Sequence, residues 1–150
     1  MKRLLVLMML VGLGLGSAAN SADQPVTYTY YVQLIRCSDQ DQPPEPACKR
    51  VGPKLAEKFK GVFRCKSYWE INRQKVELIS HRVGRARLGN GREVEIDLTH
   101  PGQRRVSAFH NGRLVDRTVE PLGESMTLIG GDRDPTSHWF IVVRRDKPGS

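Results

Sequence analysis

Met126–Arg145, MTLIGGDRDPTSHWFIVVRR, is the stretch whose reading decides the fold. Trp139 to Val143 is aromatic and β-branched with almost no polar face, so it reads as a strand buried on both sides. Met126 to Ile129 is a shorter apolar run, and the two form a closing pair of strands. Between them Gly130 to Ser137 reads as a connection of eight residues, longer than a hairpin requires. It carries two glycines, two carboxylates and an arginine, and His138 and Trp139 follow at once. The candidate ligand-binding residues are therefore Asp132, Arg133, Asp134, His138 and Trp139. Asp132-x-Asp134 is like the start of a calcium loop, but the later ligand positions and the closing Glu are missing. A glycine-rich phosphate cradle needs a helix after it, and here a strand follows. No metal and no cofactor are expected.

Working outward, the chain upstream is strands and turns. Arg85 to Leu88 and Glu93 to Leu98 alternate charge with apolar side chains around Gly89-Asn90-Gly91. A three-residue loop, Asn90-Gly91-Arg92 with a bulge, would set Leu88 opposite Val94, Arg87 opposite Glu95 and Arg85 opposite Asp97. Glu93-x-Glu95-x-Asp97 could suggest paired catalytic carboxylates, but arginines as cross-strand partners make a salt-bridge ladder the better account. Arg105 to Phe109 and Arg113 to Val119 form a second hairpin on Asn111-Gly112. A two-residue turn there places Phe109 beside Leu114 and Ala108 beside Val115.

Toward the N-terminus, Val26 to Ile35 alternates cleanly, with Tyr28, Tyr30, Val32 and Leu34 on the core face. Arg36 to Arg50 is polar and broken by Pro43, Pro44 and Pro46, so it reads as a loop. Gly52-Pro53 opens a helix over 53–63 that puts Leu55, Ala56, Phe59, Val62 and Phe63 on one face. Lys66 to Ile71 and Lys75 to Ser80 read as two strands joined by a turn at Asn72-Arg73-Gln74. The resulting fold class is α+β and mostly β. About 7–8 antiparallel strands make a twisted sheet or a two-layer sandwich, and the helix closes one side. The core is expected to hold Leu128, Ile141 and Val143 with Trp69, Ile71, Trp139, Val94, Ile96 and Leu98, besides the tyrosine strand and Leu55, Phe59 and Phe63 of the helix.

The first segment, residues 1–19, has a basic start at Lys2-Arg3, an apolar run from Leu4 to Leu15 and small residues at Ser17-Ala18-Ala19. It reads as a signal peptide cleaved after Ala19. Residues 20–25 are a flexible leader, 26–146 a single β-rich domain, and 147–150 a disordered tail. Of the 150 residues, 24 are Lys or Arg and 16 Asp or Glu, a net +8 that falls to about +6 without Lys2 and Arg3. Export implies an oxidising compartment, and three cysteines then leave one bridge and one odd thiol. Cys37 with Cys48 closes the shortest loop and would staple the proline-rich segment; it is the expected pair, and the other two pairings stay open. The histidines His81, His100, His110 and His138 show no metal-ligand spacing, and no CxxC, GxSxG, SxxK or P-loop occurs.

The run Arg85–Arg144, with its Asn-Gly turns, TLIGG and WFIVVRR, resembles small exported bacterial proteins of unassigned activity. Its Gly-Gly after an apolar strand also resembles the β-hairpins of outer-membrane secretins. Neither resemblance supplies functional residues.

The expected function is a non-enzymatic binding or scaffolding protein, periplasmic or secreted, in the bacterial cell envelope. The partner would be a protein or an anionic envelope component, with no nucleic acid and no stable membrane insertion after cleavage. One alternative is a basic β-domain that binds anionic polymer or lipid through Arg82, Arg85, Arg104, Arg105 and Arg117. Another is an enzyme that uses the 130–138 loop.

Overall fold

The computed structural model describes residues 24–133 and 137–147. Among these residues, nine strands and one short helix follow one another as β1 (Thr27–Ser38), β2 (Lys49–Arg50), α1 (Pro53–Lys60), β3 (Ser67–Ile79), β4 (Val83–Gly89), β5 (Arg92–Asp97), β6 (Gln103–His110), β7 (Arg113–Pro121), β8 (Met126–Arg133) and β9 (Ser137–Arg144). They form two antiparallel sheets, one of five strands in the order β2-β3-β1-β9-β8 and one of four in the order β4-β5-β6-β7. The sandwich reading holds, with a strand or two more than expected, and the sheets do not close into a barrel.

β9 sits between β1 and β8, and Trp139 to Val143 are all buried, as a strand with no polar face must be. Its two faces serve two cores. Trp139, Ile141 and Val143 join Tyr30, Val32 and Leu34 of β1 against Leu88, Val94, Ile96, Val106 and Ala108 of the smaller sheet. Phe140 and Val142 point the other way with Ile35, Cys37 and Tyr68, and Phe59 of α1 covers them. The Phe140 ring meets Phe59 edge-on at 4.9 Å and stacks on Phe63 at 4.3 Å. The helix is shorter than the 53–63 span, ending at Lys60, and Val62 is exposed while Phe63 packs from beyond the last turn.

Several local expectations change. Asn72-Arg73-Gln74 is no turn: β3 runs unbroken through it, and a bulge at Ile71, where Leu34 faces Asn72 and Ile35 faces Glu70, absorbs the change of pattern. Between β4 and β5 the turn is the two-residue Asn90-Gly91, both with positive φ (52° and 71°), and the extra residue is Leu88 within the strand. Arg85 therefore faces Glu95 and Arg87 faces Glu93, two positions from the expected register. An even shift leaves every side chain on its expected face, so the charge ladder survives with different rungs. Between β6 and β7, Phe109 pairs with Leu114 as expected, but a bulge sets Ala108 opposite Asp116 rather than Val115.

The disulfide joins Cys37 to Cys65, with Cα atoms 5.6 Å apart, and corrects the Cys37–Cys48 expectation. Cys37 lies on the helix side of its sheet, where the chain leaving α1 returns. Cys48 precedes β2, which β3 separates from β1, so the closest cysteine in sequence leads into the wrong strand. Its thiol is the odd one, half-buried, and burial pushes its pKa up.

Candidate functional site

The long Gly130–Ser137 connection does not exist as such. β8 continues to Arg133 and β9 begins at Ser137, with a bulge between Gly130 and Asp132. Gly130 and Gly131 have φ of 95° and 132°, conformations that L side chains rarely adopt, so the Gly-Gly pair serves the bulge. Asp132 stands across from Trp139 and Arg133 across from His138; Asp134 lies outside the described residues. His138 and Trp139 are half-buried and buried neighbours on opposite faces of β9, so no shared cleft joins them. Among the described residues, no three of His, Cys, Asp and Glu converge where a metal ion could sit.

Trp139 leads to a different arrangement. Its cross-strand partner on β1 is Arg36, whose partner on β3 is Trp69, whose partner on β2 is Arg50. Residues opposite one another in antiparallel strands share a face, so Arg50, Trp69, Arg36 and Trp139 form one row across four strands. The Arg36 guanidinium is 5.1 Å from the Trp139 ring, and Arg50 is 5.2 Å from the Trp69 ring. Arg92, at the start of β5, comes across from the other sheet to 4.3 Å from Trp139. Each such contact is worth about 0.5–2 kcal/mol, more as it is desolvated.

Arg36 donates from Nε to Ser137 Oγ at 3.0 Å, Arg92 reaches the Asn90 carbonyl at 3.4 Å, and Arg50 pairs with Asp41. Asp41 also accepts from Ser67 Oγ at 2.9 Å, which pins the proline-rich loop beside the row. The indoles are 7% and 8% exposed and so cannot serve as open stacking platforms. The void beside Trp139, lined by Leu34, Arg92, Ala108, His110 and Gly130, is about 10 Å³, room for about one water. What this end of the sandwich offers outward is the Arg36 and Arg50 guanidinium groups that the tryptophans hold in place, while Arg92 is itself buried.

Of the arginines expected to bind anions, Arg85, Arg104 and Arg105 are engaged with carboxylates, whereas Arg82 and Arg117 are exposed. Arg85 pairs with Glu95, Arg105 with Asp97, and Arg117 donates to Ser107 Oγ at 3.0 Å. Arg104 is fully buried. It donates to the Glu124 carbonyl at 2.9 Å, Thr127 Oγ1 at 2.7 Å and Glu120 Oε2 at 3.2 Å, and lies 5.3 Å from the Tyr30 ring. Thr127 in turn donates to Glu120. This cluster clasps β6 and β7 to β8, and burial there pushes the Tyr30 phenol up, partly offset by Arg104. The signal was present in the alternation, since Arg104 shares parity with Val106 and Ala108. The Arg–Trp row was hidden, because it depends on register among four strands distant in sequence.

No known protein family, curated protein or solved structure matches this chain. The site therefore rests on its geometry.

Proposed function

We propose that this protein is exported to the bacterial cell envelope and acts by binding, holding an anionic envelope component against Arg36 and Arg50, where the incoming anion competes with the exposed Asp41 for Arg50. The row of arginines and tryptophans is the observation that carries this reading. Guanidinium groups hold carboxylate, phosphate or sulfate well because their planar donor forks match those anions. Stacking on indole restricts the side chains beforehand, which lowers the entropy lost on binding. Arg36 is tied to a neutral serine, so its charge is not cancelled at that contact. The Cys37–Cys65 disulfide supports export, since such bridges persist in oxidising compartments. No helix of the described residues is long and apolar enough to cross a membrane.

Export has a direct test. A chain expressed with its own N-terminal segment should be recovered from the periplasm or medium, beginning at Asn20, with Cys37 bridged to Cys65. Recovery of the uncleaved chain in the cytoplasm with three free thiols would refute it.

A further inference from the structure

At the opposite end of the sandwich the five-stranded sheet has a gap. β9 lies between β1 and β8, but its pairing with β1 stops at Tyr31 opposite Arg144. β1 runs back a further four residues, to Thr27, paired there only with β3. On the far side, the line of β8 is prolonged by Ser125, whose carbonyl accepts from the Arg145 N–H at 3.1 Å. The chain then bends at Arg145 and Asp146 and leaves the sheet. The space between β1 and Gly123–Ser125 is where a further length of β9 would lie.

A cavity of about 350 Å³ occupies this place, lined by Thr27, Tyr28, Thr29, Gly123, Ser125, Arg145 and Asp146. Three consecutive strand residues line it. Alternate side chains of a strand point to opposite faces, so a cavity on a face would meet only every second residue. This one is open to the edge of the strand.

The ladder identifies the groups that face it. Ser80 donates its N–H to the Val26 carbonyl at 2.7 Å, so Val26, Tyr28 and Tyr30 direct their backbone groups toward β3. Thr27 and Thr29 direct theirs the other way, into the gap. Among the described residues no strand pairs with them there. Unpaired edge groups of this kind are a template for a further strand.

We infer that this gap is a strand-addition site for a short extended peptide segment of a partner protein. Donors and acceptors that alternate along a strand, with the pair repeating every second residue, match the backbone of another extended polypeptide; sugars and lipid head groups do not carry that repeat. The segment continues the line of β9, antiparallel to β1. Arg145, whose guanidinium lies 5.8 Å from the Tyr28 ring, flanks it on the face toward the smaller sheet. The site is separate from the Arg–Trp row: Thr27 and Arg36 are nine positions apart on β1, or roughly 30 Å at the usual strand rise.

The probe is acetyl-Thr-Val-Thr-Val-Thr-Val-amide, with the same peptide N-methylated on alternate amides as control. Binding to the purified mature chain is followed by NMR, together with amide hydrogen exchange. Saturable binding that slows exchange of the Thr27 and Thr29 amides at least tenfold is expected, and no binding of the N-methylated peptide. Thr29→Pro removes a gap-facing N–H without removing a β1–β3 bond, and should weaken binding at least tenfold. If that variant does not fold, the N-methylated peptide decides alone. Absence of binding at millimolar peptide, equal binding of the N-methylated peptide, or protection elsewhere would overturn the inference. So would a concentration-dependent dimer of the protein alone that protects the same two amides, which would assign the gap to a second copy. Arg36→Gln/Arg50→Gln should leave peptide binding unchanged, so this site and the Arg–Trp row stand or fall separately.

Discussion

Arg104→Met should be among the most destabilising single changes in this domain. The Arg104 side chain is wholly buried, and its guanidinium holds the Glu124 carbonyl, Thr127 Oγ1 and Glu120 Oε2 together. Methionine fills most of the same volume, so the loss is polar rather than a cavity. Removing one partner of a buried ion pair costs about 3–5 kcal/mol, because the other charge is left uncompensated. Glu120 retains 24% of its side-chain exposure, so water can reach it and the cost drops to about 2–4 kcal/mol. For a domain of this size that lowers Tm by about 10 °C. Urea unfolding followed by circular dichroism reads the change directly. Arg104→Met/Glu120→Leu should recover more than half of the loss, since replacing a buried pair with apolar groups is often neutral. A loss below about 1 kcal/mol for Arg104→Met, or a double variant as unstable as the sum of its singles, would refute the clasp.

Three further outcomes are expected. Cys65→Ser should lower stability by about 3–4 kcal/mol, the loop entropy for a bridge spanning 28 residues, while Cys48→Ser changes it little; urea midpoints and non-reducing peptide maps check both. Phe140→Ala, which removes the ring that Phe59, Phe63 and Tyr68 pack on, should cost about 3–5 kcal/mol and raise amide exchange across α1 first. Asp97 accepts from the Thr99 hydroxyl and N–H and from Arg105, which holds its pKa at about 2 against an ordinary 3.8. A depressed carboxylate contributes stability that is full above the unfolded value and lost as pH falls toward the folded one. Asp97→Asn should therefore remove about 1–2 kcal/mol at neutral pH and flatten the stability curve between about pH 4 and 2.

The sequence made the fold class legible because its signals were local. Alternation in β1, the apolar run of β9 and Pro53 at the head of α1 each specify an element without reference to distant residues. Misjudgements arose where one added residue changes the pattern. Leu88, Ile71 and Gly131 are each such a residue, and a bulge leaves little trace in a hydrophobic pattern. Gly130-Gly131 suggested a loop because glycine marks a turn and a bulge alike. The disulfide was misassigned because loop length favoured Cys48, whereas strand order put Cys65 beside Cys37. Trp139 is buried, as the apolar run of its strand implies, but it is also the end of a row whose other members are contributed by β1, β2 and β3. Pairings between residues a hundred positions apart cannot be read from spacing.

Both tryptophans of the chain, Trp69 and Trp139, lie in the Arg–Trp row, so tryptophan fluorescence reports on this row. The most direct test is a fluorescence titration of the mature protein with dextran sulfate at two salt concentrations, about 50 and 200 mM. The proposed function predicts a saturable change that weakens steeply at the higher salt and is lost in Arg36→Gln/Arg50→Gln. A fluorescence signal unmoved by the polyanion, or binding equally strong in that variant or at the higher salt, would contradict it.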